Sequence, residues 1–223
     1  MAEYVSPEHH PAFEEYCEAI FELAEDGLDV RRARIAERLE VSRPAVSEMI
    51  RRMESEGLVS TDGTAIALTA DGRNLARTVV RRHRLAERFL TDVLNLSWAD
   101  AHHEAGKWEH VISPNVERAL EELLEHPTTC PHGNPIPGSD YEQPDTAPLI
   151  DIGVGGRFTV SRIPEELEFR AGMLEYLESS HLLPGESGVV TASSPDGTIT
   201  VELDNGAVGV GAFAAQRILV TTA

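Results

Sequence analysis

At 223 residues with 41% hydrophobic side chains, the chain is long enough to bury a core in one to three globular domains, which excludes a disordered polymer. Its 19 Lys+Arg against 38 Asp+Glu give a formal net charge of −19, and Lys107 is the sole lysine; that balance excludes a uniformly basic surface and fits the acidic proteome of a salt-accumulating halophile such as a halophilic archaeon. No run of eighteen apolar residues and no basic, apolar leader over residues 1–11 is readable, and Cys17 and Cys130 are too few for a disulfide framework, so a cytoplasmic protein without a membrane partner is expected.

Residues 11–25 carry Phe13, Tyr16, Ala19, Ile20 and Leu23 at helical spacing, and Gly27 stops the pattern, which predicts a first helix. Residues 33–39 put Ile35, Ala36 and Leu39 on one stripe, followed by a short Val41-Ser42 turn. Pro44, at the first helical position, then opens a helix through Glu54 with Val46, Met49, Ile50 and Met53 inward and Ser42 as its N-cap. After Gly57, residues 58–60 and 65–69 alternate about an Asp62-Gly63 turn, a hairpin signal. Helix, helix, turn, helix, hairpin is the order of a winged helix-turn-helix.

Asp71 begins a long helical pattern to about Leu96, Ser97 caps another over 98–112 before Pro114, and a further helix covers 115–124. Their apolar faces exceed what one small winged module can cover, which predicts a homodimer seam. Residues 125–147 contain Pro127, Pro131, Pro135, Pro137 and Pro144 with little periodicity and read as a linker. Beyond it, 153–160, 187–192, 198–203 and 207–219 read as short strands around one helical piece at 171–177, the pattern of a small β-barrel. The expected fold is therefore mainly α with β: a winged domain over 1–75, a helical domain with the proline-rich segment over 76–146, and a barrel over 147–223.

Charge is not evenly spread. Residues 31–52 hold Arg31, Arg32, Arg34, Arg38, Arg43, Arg51 and Arg52 against Glu37, Glu40 and Glu48, a local +4 inside a −19 chain. In a helix-turn-helix the N-terminal residues of the second helix meet base edges while flanking arginines hold phosphates. Ser42, Arg43, Pro44, Ser47 and Glu48 occupy those places, with Arg31, Arg32 and Arg51 beside them. Arg43 suits guanine or a phosphate, Ser42 a phosphate or base, and Pro44 a thymine methyl; Glu48 only accepts, from cytosine N4 or by orienting Arg51. The alternatives are a helix pair with a solvated arginine face, or a winged module that binds protein.

Three further stretches carry metal-ligating side chains: Glu15-Tyr16-Cys17-Glu18, His83-Arg84-Leu85-Ala86-Glu87, and 102–110 with His102, Glu109 and His110. His83 and Glu87 are four apart and share a helix face. Imidazole with carboxylate suits Mn(II), Fe(II), Co(II), Ni(II) or Zn(II). A zincin motif is excluded, because Lys107 stands where the second histidine after His103-Glu104 belongs. Each pair alone is more often a surface salt bridge or cap than a ligand. No nucleophile elbow or phosphate loop occurs either, so an enzyme is not expected.

With Ala33-Arg34-Ile35-Ala36-Glu37-Arg38-Leu39, Arg82-His83-Arg84-Leu85-Ala86-Glu87-Arg88, Trp108-Glu109-His110-Val111-Ile112-Ser113 and His132-Gly133-Asn134-Pro135-Ile136-Pro137-Gly138 in that order, the chain resembles the diphtheria toxin repressor family of iron-dependent and manganese-dependent transcriptional repressors. The resemblance covers nearly the whole chain and is strongest over 14–138. It implies a homodimer with a winged DNA-binding domain, a helical dimerisation and metal-binding domain and an SH3-like (FeoA-like) barrel. It also implies a palindromic double-stranded DNA operator and two Fe(II) or Mn(II) sites per subunit. For an ancillary site it implies His83, Glu87 and His102, with Glu165 and Glu168 from the barrel segment, the second standing where a glutamine is usual. For a primary, regulatory site it implies Glu15, Glu18, Glu109 and His110. Gly106 stands at the family's Cys-or-Glu position and supplies no donor. Either the remaining donors suffice there, with water or a carbonyl, or the ancillary site does the sensing. The oxygen and imidazole donors lean toward Mn(II) or Fe(II). Cys17 is expected to be a buried core thiol, and Cys130-x-His132 is a weak motif. The implied function is metal-dependent repression of metal-uptake genes. The competing function is a winged-helix regulator answering a protein or small-molecule ligand, with structural histidines.

Overall fold

A computed structural model describes residues 11–222; residues 1–10, on which the reading of the N-terminus rests, and residue 223 lie outside the described residues. The chain divides into two compact units, one of 11–81 with Glu109–Val111 and one of Arg82–Trp108 with 112–222.

In the first unit, α1 (Pro11–Glu25), α2 (Arg32–Arg38) and α3 (Arg43–Ser55) are followed by the hairpin β1 (Val59–Asp62) and β2 (Ala65–Leu68) and the start of α4 (Ala70–Asp92). Cys17, Ile20, Ile35, Val46, Ile50, Met53, Leu58 and Ile66 form their shared core, so the three helices and the hairpin are one packed body. The Ser42 hydroxyl oxygen caps α3 by accepting from the Ala45 amide at 3.3 Å. Arg43 is the first helical residue and Pro44 the second, one place later than expected; the missing proline N–H is still one of the amides a helix start leaves unpaired. Asp62 pairs with Ala65, which makes Gly63-Thr64 the turn rather than Asp62-Gly63. Gly63 takes a φ of +58° there, as a tight hairpin turn demands. Arg38 is ion-paired with buried Glu22 of α1, so one of the seven arginines joins two helices rather than facing solvent.

In the second unit, α4 stops at Asp92 rather than near Leu96, and Asn95 turns the chain with a φ of +57°. Then α5 (Trp98–Trp108) starts in a reciprocal cap: the Asp100 amide donates to the Ser97 hydroxyl oxygen at 3.2 Å, and that hydroxyl lies 2.8 Å from the Asp100 carboxylate. It ends four residues before the expected Ile112. Pro114 holds Ser113 extended (ψ 160°), and Ser113 caps α6 (Pro114–Leu123). Ala86, Leu90, Ala101, Ala105, Ile112 and Leu120 make the core of these helices.

The segment expected as a linker is instead a packed strap. Cys130, His132, Asn134 and Ile136 are buried. The Cys130 amide donates to the Asn134 carbonyl (2.9 Å) and the Ile136 amide to the Thr128 carbonyl (2.8 Å), while Arg88 Nε donates to the Thr129 carbonyl (2.9 Å). Prolines fix φ and so lessen the entropy lost on ordering, and these internal bonds satisfy a backbone with no helix or sheet to join.

The remaining elements are β3 (Ala147–Pro148), a 3-10 turn (Leu149–Asp151), β4 (Arg157–Arg162), α7 (Glu165–Glu168), α8 (Met173–Ser179), β5 (Ser187–Ser193), β6 (Ile199–Leu203), β7 (Gly206–Val210), α9 (Ala212–Ala215) and β8 (Leu219–Thr221). The strands pair antiparallel in the order β3-β8-β4-β5-β6-β7. The single strand expected over 207–219 is thus two strands separated by α9, whose Ala214 and Ala215 are buried. Phe158, Val160, Leu167, Leu177, Val201, Val210 and Val220 pack inside with Trp98 of α5. The Trp98 amide donates to both carboxylate oxygens of Glu178 at 3.2 Å, placing a negative charge at the α5 N-terminus. Among the described residues no helix is long and apolar enough to cross a membrane.

Candidate metal centres and nucleic-acid interface

Four chain segments of the second unit converge on one buried cluster. α4 presents His83 and Glu87 one turn apart, α5 presents His102, the strap presents Cys130 and His132, and α7 presents Glu168. Glu87 Oε1 lies 3.1 Å from His83 Nε2 and 2.9 Å from His102 Nδ1. Glu168 Oε2 lies 3.2 Å from His102 Nδ1 and 3.0 Å from His132 Nδ1, which is 3.6 Å from Glu87 Oε1. Cys130 Sγ is 3.8 Å from His132 Nδ1. Donors held at right angles about 2.1 Å from a common ion are about 3 Å apart, so these spacings are compatible with donors that share one ion. Glu87 Oε2 and His132 Nε2 are buried without a hydrogen-bond partner, an arrangement that burial penalises unless a further group satisfies it. The residues present therefore fit a divalent ion.

Electrostatics agree. Burial works against a charged His102, yet hydrogen bonds to Glu168 and Glu87 push it up to about 9. Burial likewise opposes the Glu168 carboxylate, but the adjacent His132 outweighs it and brings it down to about 2. His132 is raised and Glu87 lowered, each against its own burial, by the opposite charges around them. Protons on the imidazoles thus hold the carboxylates together where an ion can replace them. Asn134 Nδ2 donates to Glu168 Oε1 at 2.6 Å and to the Ile163 carbonyl at 2.9 Å, fixing the carboxylate. Gly133 is required between His132 and Asn134: its φ is +86°, and a Cβ there would come within 2.3 Å of the Ser161 carbonyl oxygen.

Glu165 is held differently from the expectation. Its Oε1 accepts from Arg84 Nη2 at 2.9 Å. Arg84 is fully buried, and a guanidinium removed from water needs a carboxylate beside it. Conversely Cys130, His132 and Asn134 came from a segment expected to be linker. The signal was Cys130-x-His132 within the proline-rich run, and it gains meaning only from burial.

The second cluster lies within the first unit, where α1 meets the Glu109–Val111 turn. His110 Nδ1 is 2.6 Å from Glu14 Oε2, and its Nε2 is 3.2 Å from Glu109 Oε1 and 3.5 Å from Glu15 Oε1. Glu18 offers an oxygen within 4.8 Å of one from Glu109. Hydrogen bonds to Glu14 and Glu15 push His110 up to about 10, and its hydrogen bond lowers Glu15. The Glu15 side chain is 54% exposed, whereas Glu14 and Glu109 are buried. Nε2 faces the Glu109 and Glu15 carboxylates, so a divalent ion fits there while Glu14 orients the ring from Nδ1. The sequence pattern missed Glu14; its signal was an acid next to Phe13 on the apolar stripe. Cys17 is fully buried, and burial pushes its thiol up to about 12, an inert core thiol as expected. A Cβ on Gly106 would meet no atom within 4 Å, so packing does not demand glycine there.

On α3, Ser42, Arg43, Pro44, Glu48 and Arg51 are exposed and Ser47 is half-buried. The Ser47 hydroxyl donates to the Arg43 carbonyl at 3.0 Å, and Arg51 donates through Nε to the Ser47 carbonyl (3.2 Å) and through Nη2 to Glu48 (2.7 Å). Exposed Arg31, just before α2, pairs with Asp29 at 2.7 Å, and Arg32 is the first residue of α2.

Residues 10–65 match a family model for the N-terminal DNA binding domain of iron dependent repressors, residues 69–138 one for their metal binding and dimerisation domain, and residues 147–222 one for the FeoA domain. An iron-dependent repressor IdeR of Mycobacterium leprae is 49% identical over 143 residues, 64% of this chain and 58% of that protein. A diphtheria toxin repressor of Corynebacterium efficiens is 52% identical over 142 residues, 63% of this chain and 57% of its own length. The matched part thus spans somewhat over half of these curated relatives. A solved manganese-dependent transcriptional repressor in complex with manganese superposes with a TM-score of 0.84 at 33% identity, over 95% of this chain and 100% of the other.

Proposed function

Because the chain belongs to the iron-dependent repressor family, we propose that it is a DNA-binding transcriptional repressor whose operator affinity depends on Fe(II) or Mn(II). It acts as a cytoplasmic homodimer on a palindromic double-stranded operator and silences metal-uptake genes when the ion is plentiful. The matched domain models support its division into a winged domain (1–75), a helical domain (76–146) and a FeoA-like domain (147–223). The matched relatives are repressors, so no catalytic role is assigned to any residue.

The observation that carries the reading is the placement of His110 between the α1 carboxylates of Glu14 and Glu15 and its neighbour Glu109. α1 shares one core with α3, so whatever fixes α1 constrains the helix that meets DNA. A bound Fe(II) or Mn(II) supplies the positive charge that lets Glu15, Glu18 and Glu109 share a site with neutral His110. Glu14 keeps the imidazole oriented, and Arg31, Arg32, Ser42 and Arg43 stand ready for phosphates. Ions favour the DNA-competent state only through their differential affinity for it. His83, Glu87, His102, Cys130, His132 and Glu168 hold the second ion. Their convergence supports metal binding over the competing reading of structural histidines and another effector.

The test is fluorescence anisotropy of an uptake-gene promoter duplex, with chelator-treated protein and with Mn(II) or Fe(II) added. Metal-dependent binding that is lost in Glu109→Ala is expected. Equal binding with and without metal overturns the proposal.

A further inference from the structure

Resting on that reading, we propose that Glu48 and Arg51 act as one base-reading unit that selects a C·G pair in each half-site. Donor and acceptor counting on the exposed face of α3 leads there. Ser42 uses its hydroxyl oxygen to cap the helix, the Ser47 hydroxyl proton is committed to the Arg43 carbonyl, and Pro44 has no polar side-chain atom. Ser42 and Ser47 keep only part of their hydrogen-bonding capacity and Pro44 reads by apolar contact alone, which leaves the charged groups Arg43, Glu48 and Arg51 as the strongest base discriminators on this face.

Glu48 is exposed at the second turn, where phosphates repel it; facing DNA, it is acceptable only against a base-edge donor. The major groove offers two such donors, cytosine N4 and adenine N6. Adenine presents the acceptor N7 beside N6, which a carboxylate repels, whereas cytosine presents no acceptor of its own there. The guanine paired with that cytosine displays O6 and N7, and these need a donor. Arg51 is held 2.7 Å from the Glu48 carboxylate. Two of a guanidinium's five N–H donors are spent on Glu48 and the Ser47 carbonyl, and the rest are available to guanine. The two readings of Glu48, as a cytosine acceptor and as an anchor for Arg51, are therefore one arrangement.

Selection of bound sequences from a randomised duplex pool, with the Mn(II)-loaded full chain, tests this. Wild type should require one C·G pair per half-site, with single-base replacements weakening binding on the order of 10-fold to 100-fold. Glu48→Gln should switch that position to A·T, because a carboxamide pairs with adenine N6 and N7; Arg51→Ala should relax the same position and no other. If Glu48→Gln selects the wild-type sequence at every position, the inference falls and the pair is an ordinary surface salt bridge. If wild type selects no sequence with metal present, operator binding itself falls, and this inference with it.

Discussion

The enclosed and open centres use the same kinds of donor in different surroundings. In the enclosed cluster His132, Glu87 and Glu168 are buried, and a strap, two long helices and a short one contribute. In the open cluster Glu15 is 54% exposed on its side chain, and only α1 and one turn contribute. Burial ties occupancy of the first to folding of its surroundings. On the proposed function, water access and fewer donors would let the second exchange its ion with the surroundings. The comparison teaches that donor chemistry sets which ions bind, while burial decides which site can respond.

The largest effect should follow from breaking the enclosed centre. His132→Ala leaves Glu87 and Glu168 buried beside one fewer cation. It should lower the stability of the metal-free protein by about 3–5 kcal/mol and remove one Mn(II) per subunit by calorimetry. Two ions with unchanged affinities would erase the distinction between the centres. Next, Glu109→Ala should abolish metal-dependent DNA binding in anisotropy while the enclosed ion still binds. Glu15→Gln should weaken it less, because its side chain lies mostly in water. Asn134→Ala, which touches the enclosed centre only through Glu168, should weaken that ion by about 10-fold to 100-fold and leave the DNA response in saturating metal unchanged.

The smallest effect is graded by pH. In metal-free protein the stabilisation from His102, raised from 6.5 to about 9, is complete below pH 6.5 and lost as pH rises through about 9. That from Glu168, lowered from 4.5 to about 2, is complete above 4.5 and lost as pH falls through about 2. An ion replaces the imidazole protons, so the Tm difference between Mn(II)-loaded and metal-free protein should widen from pH 6.5 to 9. A constant difference would show that no imidazole proton is displaced.

The winged pattern was legible because each helix there has a clear stripe and a local stop signal: Ser42 with Pro44 for α3, Gly27 after α1, alternation in the hairpin. The strap was not, since prolines without periodicity look the same whether solvated or packed, and the burial of His132 comes from distant elements. Glu14 escaped for a related reason. Glu14 and Glu15 are adjacent acids, and only the position of His110, 95 residues beyond Glu15, separates the ring-orienting carboxylate from the one facing Nε2. α9 was hidden within an apolar run too short for periodicity to distinguish helix from strand.

By itself the amino-acid order determined the local elements, the arginine-rich reading helix inside an acidic chain, and the family, because period, caps and motif spacing act within a few residues. Only the tertiary structure decided which carboxylates and imidazoles share a centre, that Glu165 neutralises Arg84, and that Cys130 and His132 belong with Glu87. Those outcomes depend on desolvation and on charges brought together from remote segments, energies that do not exist until the chain has packed.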